Sequence, residues 1–277
     1  MRCPRSVLLA ALLSLGGTAA AVTLPSDLIA VGTATDPSTG LPLEVRTRVT
    51  SHVLCLVPPG NFTMGSDSGD VDEKPVHVVS KSAFYLGKYP VTNLQYEQFA
   101  PQHHDSRGAY AAQDQHPVAR VRWNDASAYI LWIGTQENKP DLYAMPSEAA
   151  WEKAAQGGLN TPTYPWGNTL NSSTNLYSSA SAVVVDGGSP NGLGFHHMTA
   201  NVFCWCWDWY DKNYYQGSPA QDPYGPPTGK ARSLRGGTWY IYNKSFRCAD
   251  RWSSFPTTVS DHIGIRIGRR VTDILAP

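Results

Sequence analysis

The chain has 277 residues, 42 % of them hydrophobic, 11 % aromatic and 16 % charged, with 22 basic side chains against 22 acidic ones. That length suits one large domain or two small ones, and this apolar fraction at so low a charge excludes a disordered chain; no apolar run of 18 residues lies beyond the N-terminus and no heptad is sustained, which excludes a membrane bundle and a coiled coil. Zero net charge, with no Lys/Arg run longer than a pair, leaves no electrostatic footprint for a polyanion, so nucleic acid is not an expected partner.

In residues 1–21, Arg2 and Arg5 precede an apolar run over 7–15, and small residues end the segment at Ala19-Ala20-Ala21. This is the order of a secretory signal peptide, so cleavage after Ala21 and a secreted or periplasmic location are expected. The mature chain keeps Cys55, Cys204, Cys206 and Cys248, and four cysteines allow three full pairings. Residues 22–51 read as an N-terminal extension. Within it Asp36-Pro37-Ser38-Thr39-Gly40 has turn composition, and the alternation over 43–49 fits an edge strand with one wet face. The apolar run 53–57 predicts a buried strand, stopped by Pro58-Pro59-Gly60. Thr92 and Gln95, at capping-box spacing, predict a helix start. A second helix runs from Asn124 to about Gln136, with Ala126, Tyr129, Ile130 and Ile133 at helical intervals. A third follows Ser147 as N-cap, with Ala150, Trp151 and Ala154 on one face. From Gly157 on no helical period survives. With 24 Gly, 21 Pro, 9 Trp and 14 Tyr, this half is expected to be loops and short strands stitched by aromatic rings.

A run of motifs spans most of the mature chain. Pro59-Gly60-Asn61-Phe62-Thr63-Met64-Gly65-Ser66 is followed by Phe84-Tyr85-Leu86-Gly87-Lys88-Tyr89-Pro90-Val91-Thr92-Asn93, Val121-Arg122-Trp123-Asn124-Asp125-Ala126, Met145-Pro146-Ser147-Glu148, Tyr164-Pro165-Trp166-Gly167-Asn168, Trp207-Asp208-Trp209-Tyr210, Arg235-Gly236-Gly237-Thr238-Trp239 and Gly264-Ile265-Arg266. In this order the blocks resemble the formylglycine-generating enzyme family, also called sulfatase-modifying factors. The resemblance implies an α+β fold, C-type lectin-like and poor in regular secondary structure, over residues 52–270, with 271–277 as a tail. Most blocks read as architecture: Trp123, Trp151, Trp166 and Trp209 as core rings, Gly236-Gly237 and Gly264 as positions of positive φ or close backbone approach, Asp125 and Glu148 as carboxylates in first helical turns.

The chemistry that the resemblance implies rests on other residues. Aerobic members of the family oxidise a sulfatase cysteine in a Cys-x-Pro-x-Arg segment to an aldehyde, using two cysteines five apart that bind copper(I), a soft ion suited to thiolates. The matching interval, 238–246, holds no cysteine, so copper is not expected here. Cys248 matches a structural cysteine whose usual partner position is Ala155. The approach of the late blocks in such a fold makes Cys206 to Cys248 the expected disulfide, while Cys204-Trp205-Cys206, two thiols on one side of a strand, is a weaker candidate for a soft ion. Cys204 also stands where the family places a calcium-binding glutamate, and a thiol is a poor ligand for that hard ion, so no calcium is expected around His197, Ala200, Val202 and Cys204. The resemblance implies a second calcium site at Asn175 and Leu176, with Asp186 the nearest carboxylate. The adjacent pairs His103-His104 and His196-His197 read as solvated loop residues.

Three functions follow. The first is an exported, noncatalytic or reassigned family member that binds a peptide, protein or glycan through an aromatic loop surface built from Phe203, Trp239, Tyr240, Tyr242, Arg251, Trp252 and His262. The second is an oxidoreductase of the family acting on a small metabolite. The third is a formylglycine-generating oxidase, which the missing cysteine pair opposes.

Overall fold

The computed structural model describes residues 22–170, 179–240 and 243–274. The described residues open with three strands, β1 (Leu28–Ala30), β2 (Glu44–Thr47) and β3 (Val53–Val57), successive strands pairing antiparallel. Pro58-Pro59 ends β3. A hairpin of β4 (Gly60–Met64) and β5 (His77–Lys81) follows, then β6 (Phe84–Gly87) returns beside β3. Helix α1 (Asn93–Glu97) starts where its capping box predicts: the Gln95 N–H donates to Thr92 Oγ1 at 3.1 Å and the Thr92 N–H to Gln95 Oε1 at 3.0 Å. Helix α2 (Trp123–Gln136) begins one residue earlier than expected and buries Ala126, Tyr129, Ile130 and Ile133 along one stripe. After β7 (Tyr143–Ala144), helix α3 (Glu148–Ala155) is capped by Ser147, whose Oγ accepts the Ala150 N–H at 3.2 Å. Beyond it the described residues hold no α-helix, only β8 (Phe203–Trp209), β9 (Arg232–Arg235), β10 (Trp252–Ser254), β11 (Ile263–Gly264), β12 (Gly268–Arg270), short 3-10 turns and loops.

The strands form a six-stranded antiparallel sheet in the order β1-β2-β3-β6-β12-β7, a four-stranded sheet in the order β10-β9-β8-β11, and the separate hairpin. Residues 28–47 are therefore built into the main sheet. Leu28, Leu41 and Val45 belong to the main core, and Asp27 is buried against Arg269 with contacts of 2.9 and 3.0 Å. β2 alternates wet and dry as expected, but β1 covers its flank, so it is an interior strand.

Aromatic rings and arginines tie the sheets together. The Arg232 guanidinium lies 3.6 Å from the ring centres of both Trp123 and Trp209, and the Trp123 indole N–H donates to the Cys206 carbonyl at 2.8 Å. Gly236 has φ +100, and a Cβ there would meet the Met198 carbonyl at 2.7 Å, so the turn after β9 requires glycine. A second core cluster gathers Cys55, Cys204, Cys206 and Cys248 around Trp151, Ala154, Ala155 and Phe195. The expected Cys206–Cys248 disulfide is not formed. All four thiols are free and buried, packing as small apolar groups. Ala155 lies in this cluster with Cys248, where a methyl group fills the position that the resemblance gives to a second thiol.

Candidate functional site

The glycine turn after β9 delivers Thr238 and Trp239 to a loop region held by Asn201. Asn201 brackets Val183, its Nδ2 donating to the Val183 carbonyl at 3.0 Å and its Oδ1 accepting the Val183 N–H at 3.2 Å, while its own carbonyl accepts the Trp239 N–H at 3.1 Å. On this frame a ring cluster forms. Trp239 packs against Tyr110 with ring centres 4.8 Å apart and against His262 at 5.0 Å; Tyr240 stacks on His262 at 5.6 Å and 26°. His262 Nδ1 lies 3.3 Å from Thr238 Oγ1, and burial holds its pKa below the usual histidine range, which favours the neutral ring. Trp239 is buried and its indole N–H has no hydrogen-bond partner among the described residues, whereas Tyr240 is 70 % exposed and Tyr110 48 %.

A second pair of rings adjoins the first. β11 runs parallel to β8, the His262 carbonyl accepts the Phe203 N–H at 2.8 Å, and Phe203 meets Trp252 at 5.4 Å. Trp252 is 40 % exposed, and its indole N–H donates to Asp250 Oδ2 at 2.6 Å.

The structure thus brings Trp239, Tyr240 and His262 together, places Trp252 against Phe203 on the neighbouring strand pair, and removes two residues from the expected surface. Phe203 is a core ring of β8. Arg251 is buried, its guanidinium forked onto Glu148 at 2.7 and 2.9 Å and donating to the Asp72 carbonyl, so its charge is already used. Tyr242 and the calcium candidates Asn175 and Leu176 lie outside the described residues. Glu148, read as a helix-terminus carboxylate, belongs to the same ionic network: burial would raise its pKa, but Arg251 and Arg235 bring it below the usual value. His103 and His196 are buried rather than solvated. Tyr110 was missed because its segment shows no periodicity and its partner lies 129 residues away in sequence.

The metal chemistry of the resemblance finds little to stand on in this donor set. The loop from Thr238 carries no thiol, and the four thiols of the second core are buried far from a thiolate state. Burial pushes Cys55 and Cys204 up to about 12 and raises Cys206 and Cys248 as well. The interval 238–246 therefore offers a copper(I) ion no thiolate ligand. Asp70, Glu73 and Asp250 bring carboxylate oxygens within 4.8 Å of one another, but the Arg247 guanidinium sits among them, 2.6 Å from Glu73 and 3.1 Å from Asp250, and supplies the cation itself.

This α+β chain, with few helices and curled sheets, shares its fold with the solved structure titled Treponema denticola variable protein 1, which superposes with a TM-score of 0.72 at 23 % identity over 83 % of this chain and 99 % of that one. The sulfatase-modifying factor enzyme 1-like domain matches residues 42–271, and the chain belongs to this FGE-sulfatase family. It is 30 % identical over 280 residues to the formylglycine-generating enzyme of Streptomyces coelicolor, an alignment covering 76 % of this chain and 87 % of the enzyme. It is 34 % identical over 256 residues to the serine/threonine-protein kinase Pkn1 of Chlamydia trachomatis, with 82 % of this chain but only 40 % of the kinase's length covered.

Proposed function

We propose that this chain is an exported, noncatalytic member of the FGE-sulfatase family that binds a peptide, protein or glycan through the ring surface of Trp239, Tyr240, Trp252 and His262. The observation that carries the reading is the replacement of the copper-binding cysteine interval by a ring cluster, with every thiol of the described residues buried in the core. Export rests on residues 1–21, whose charged start, apolar run and small-residue end have the order of a cleaved signal. Exposed Tyr110 and Tyr240 flank Trp239 and His262, exposed Trp252 packs on Phe203, and rigid rings of this kind give contact area at little entropic cost. Calcium around His197, Ala200, Val202 and Cys204 is not part of the proposal, because the Asn201 side chain is spent on Val183 and Cys204 is a buried thiol.

One observation favours the competing oxidase reading: the match to the Streptomyces coelicolor enzyme runs over 87 % of that protein. A single assay separates the two. The mature protein, loaded with copper(I) under air, is expected to leave a Cys-x-Pro-x-Arg peptide unconverted by mass spectrometry. Aldehyde formation that disappears in Cys204→Ser or Cys206→Ser would establish a relocated copper site and defeat the noncatalytic reading.

A further inference from the structure

Away from the ring surface, two cavities meet along the β7 end of the six-stranded sheet. One, about 490 Å³, is walled by Leu131, Met145 and Trp207; the other, about 430 Å³, runs past Phe84 and Val271. Tyr224 and Arg270 line both, so the cavities form one groove with a cation at its middle. Three of the large apolar groups are strongly exposed: Leu131 at 58 %, Tyr224 at 46 % and Trp207 at 43 %.

The charges along the groove are unequal in commitment. Lys81 is paired with Asp222 at 2.7 Å, and Arg269 is held by Asp27 at 2.9 Å and Asp273 at 3.0 Å. Arg270 is exposed, and its guanidinium has no partner among the described residues. Its backbone is fixed on both sides, opposite Phe84 in β6 and through its N–H to the Leu142 carbonyl at 2.9 Å. Gly268, two residues earlier and so on the same face of β12, adds no side chain beside it.

We propose that this groove is a second ligand site, which takes the free C-terminal end of a peptide whose last residue is apolar. The guanidinium fork matches a terminal carboxylate, and the fixed strand sets the point from which that side chain reaches into the groove. The last side chain enters the larger cavity between Leu131, Met145 and Trp207, and the preceding residue lies in the smaller one. Asp141, exposed at the larger cavity, repels an acidic last side chain and so sharpens the choice of an apolar one.

Calorimetric titration of the mature protein with acetyl-Gly-Ala-Phe as the free acid tests the site, with its C-terminal amide and N-acetylphenylalanine as comparison probes. The free acid is expected to bind at least about tenfold, or about 1.4 kcal/mol, more tightly than either. Arg270→Gln is expected to reduce the acid to the affinity of the amide. Leu131→Asp, at an exposed position of α2 where the fold tolerates it, is expected to weaken the acid by about tenfold or more. Equal binding of acid and amide, an unaffected Arg270→Gln variant, or no binding at about 10 mM peptide overturns the proposal. Equal binding of N-acetylphenylalanine overturns the peptide assignment, because the smaller cavity would then contribute nothing. None of these outcomes bears on the ring surface, so this site and the proposed function stand or fall separately.

Discussion

Asp208 is buried on β8 with Oδ2 accepting the Glu148 N–H at 2.9 Å, and burial, reinforced by the Glu148 charge, pushes its pKa up to about 7 from an ordinary value of 3.8. Between those values the folded state holds a proton that the unfolded state releases, so the contribution of Asp208 to stability falls as pH rises from about 4 to 7. His52 and His197, held near 4 by burial, act with the opposite sign and cost stability as pH falls below 6.5. Comparing Asp208→Asn with the parent isolates the aspartate, since asparagine keeps the acceptor oxygen and loses the charge. Urea unfolding should show the variant gaining about 2 kcal/mol on the parent between pH 5 and pH 8. A difference that does not change with pH would mean that Asp208 is ionised throughout. Such behaviour is not legible in the sequence, where Asp208 is one letter of an aromatic block. Arg251 carries the same lesson: a sequence displays the charge but not the buried Glu148 that consumes it.

Elements made by neighbouring residues were legible, because their causes are local. The capping box at Thr92, the apolar stripe of α2, the Ser147 cap and the β3 run each declare themselves within a dozen residues. The short strands β7, β11 and β12 do not, since two or three residues carry no period and their partners are remote; β12 pairs with β6 across roughly 180 residues of chain. Helix α1 shows what a local signal can decide. Five residues cannot sustain a helix in isolation, so its start depends on the reciprocal Thr92 and Gln95 bonds and on packing of Tyr96. Thr92→Val keeps the shape and removes the acceptor, and should lower the unfolding free energy by about 1 kcal/mol, whereas Thr92→Ser should lose less than half of that. Equal losses in the two variants would assign the effect to the buried methyl group rather than to the cap.

At the scale of the whole molecule the two ends of the described chain are one structure. The buried Arg269 of β12 reaches Asp27 ahead of β1, the Tyr143 hydroxyl donates to the same Asp27 at 3.0 Å, and Leu28, Leu41 and Val45 fill the main core beside residues from the last strands. Composition gave no hint of this, because residues 22–51 are turn-rich and carry only one short alternating stretch; the reason for their order lies more than 200 residues away. Removing residues 22–48 should therefore do more than trim an appendage. It deletes three fully buried side chains, each of the kind whose loss costs about 2–5 kcal/mol, uncovers the edge of β3 and takes from Arg269 one of its two carboxylates. Together these losses approach or exceed the roughly 5–15 kcal/mol that separates a folded domain from its unfolded chain. A protein beginning at Val49 is expected to be insoluble, or to lack a cooperative thermal transition by near-ultraviolet circular dichroism, while one beginning at Val22 unfolds in a single step. Because a failure to fold is a blunt result, Asp27→Asn in the chain beginning at Val22 gives the finer measurement: it should remain folded with a lower urea midpoint. An unchanged midpoint would show that Asp273 alone satisfies Arg269, and a cooperatively folded protein beginning at Val49 would make the first two strands dispensable.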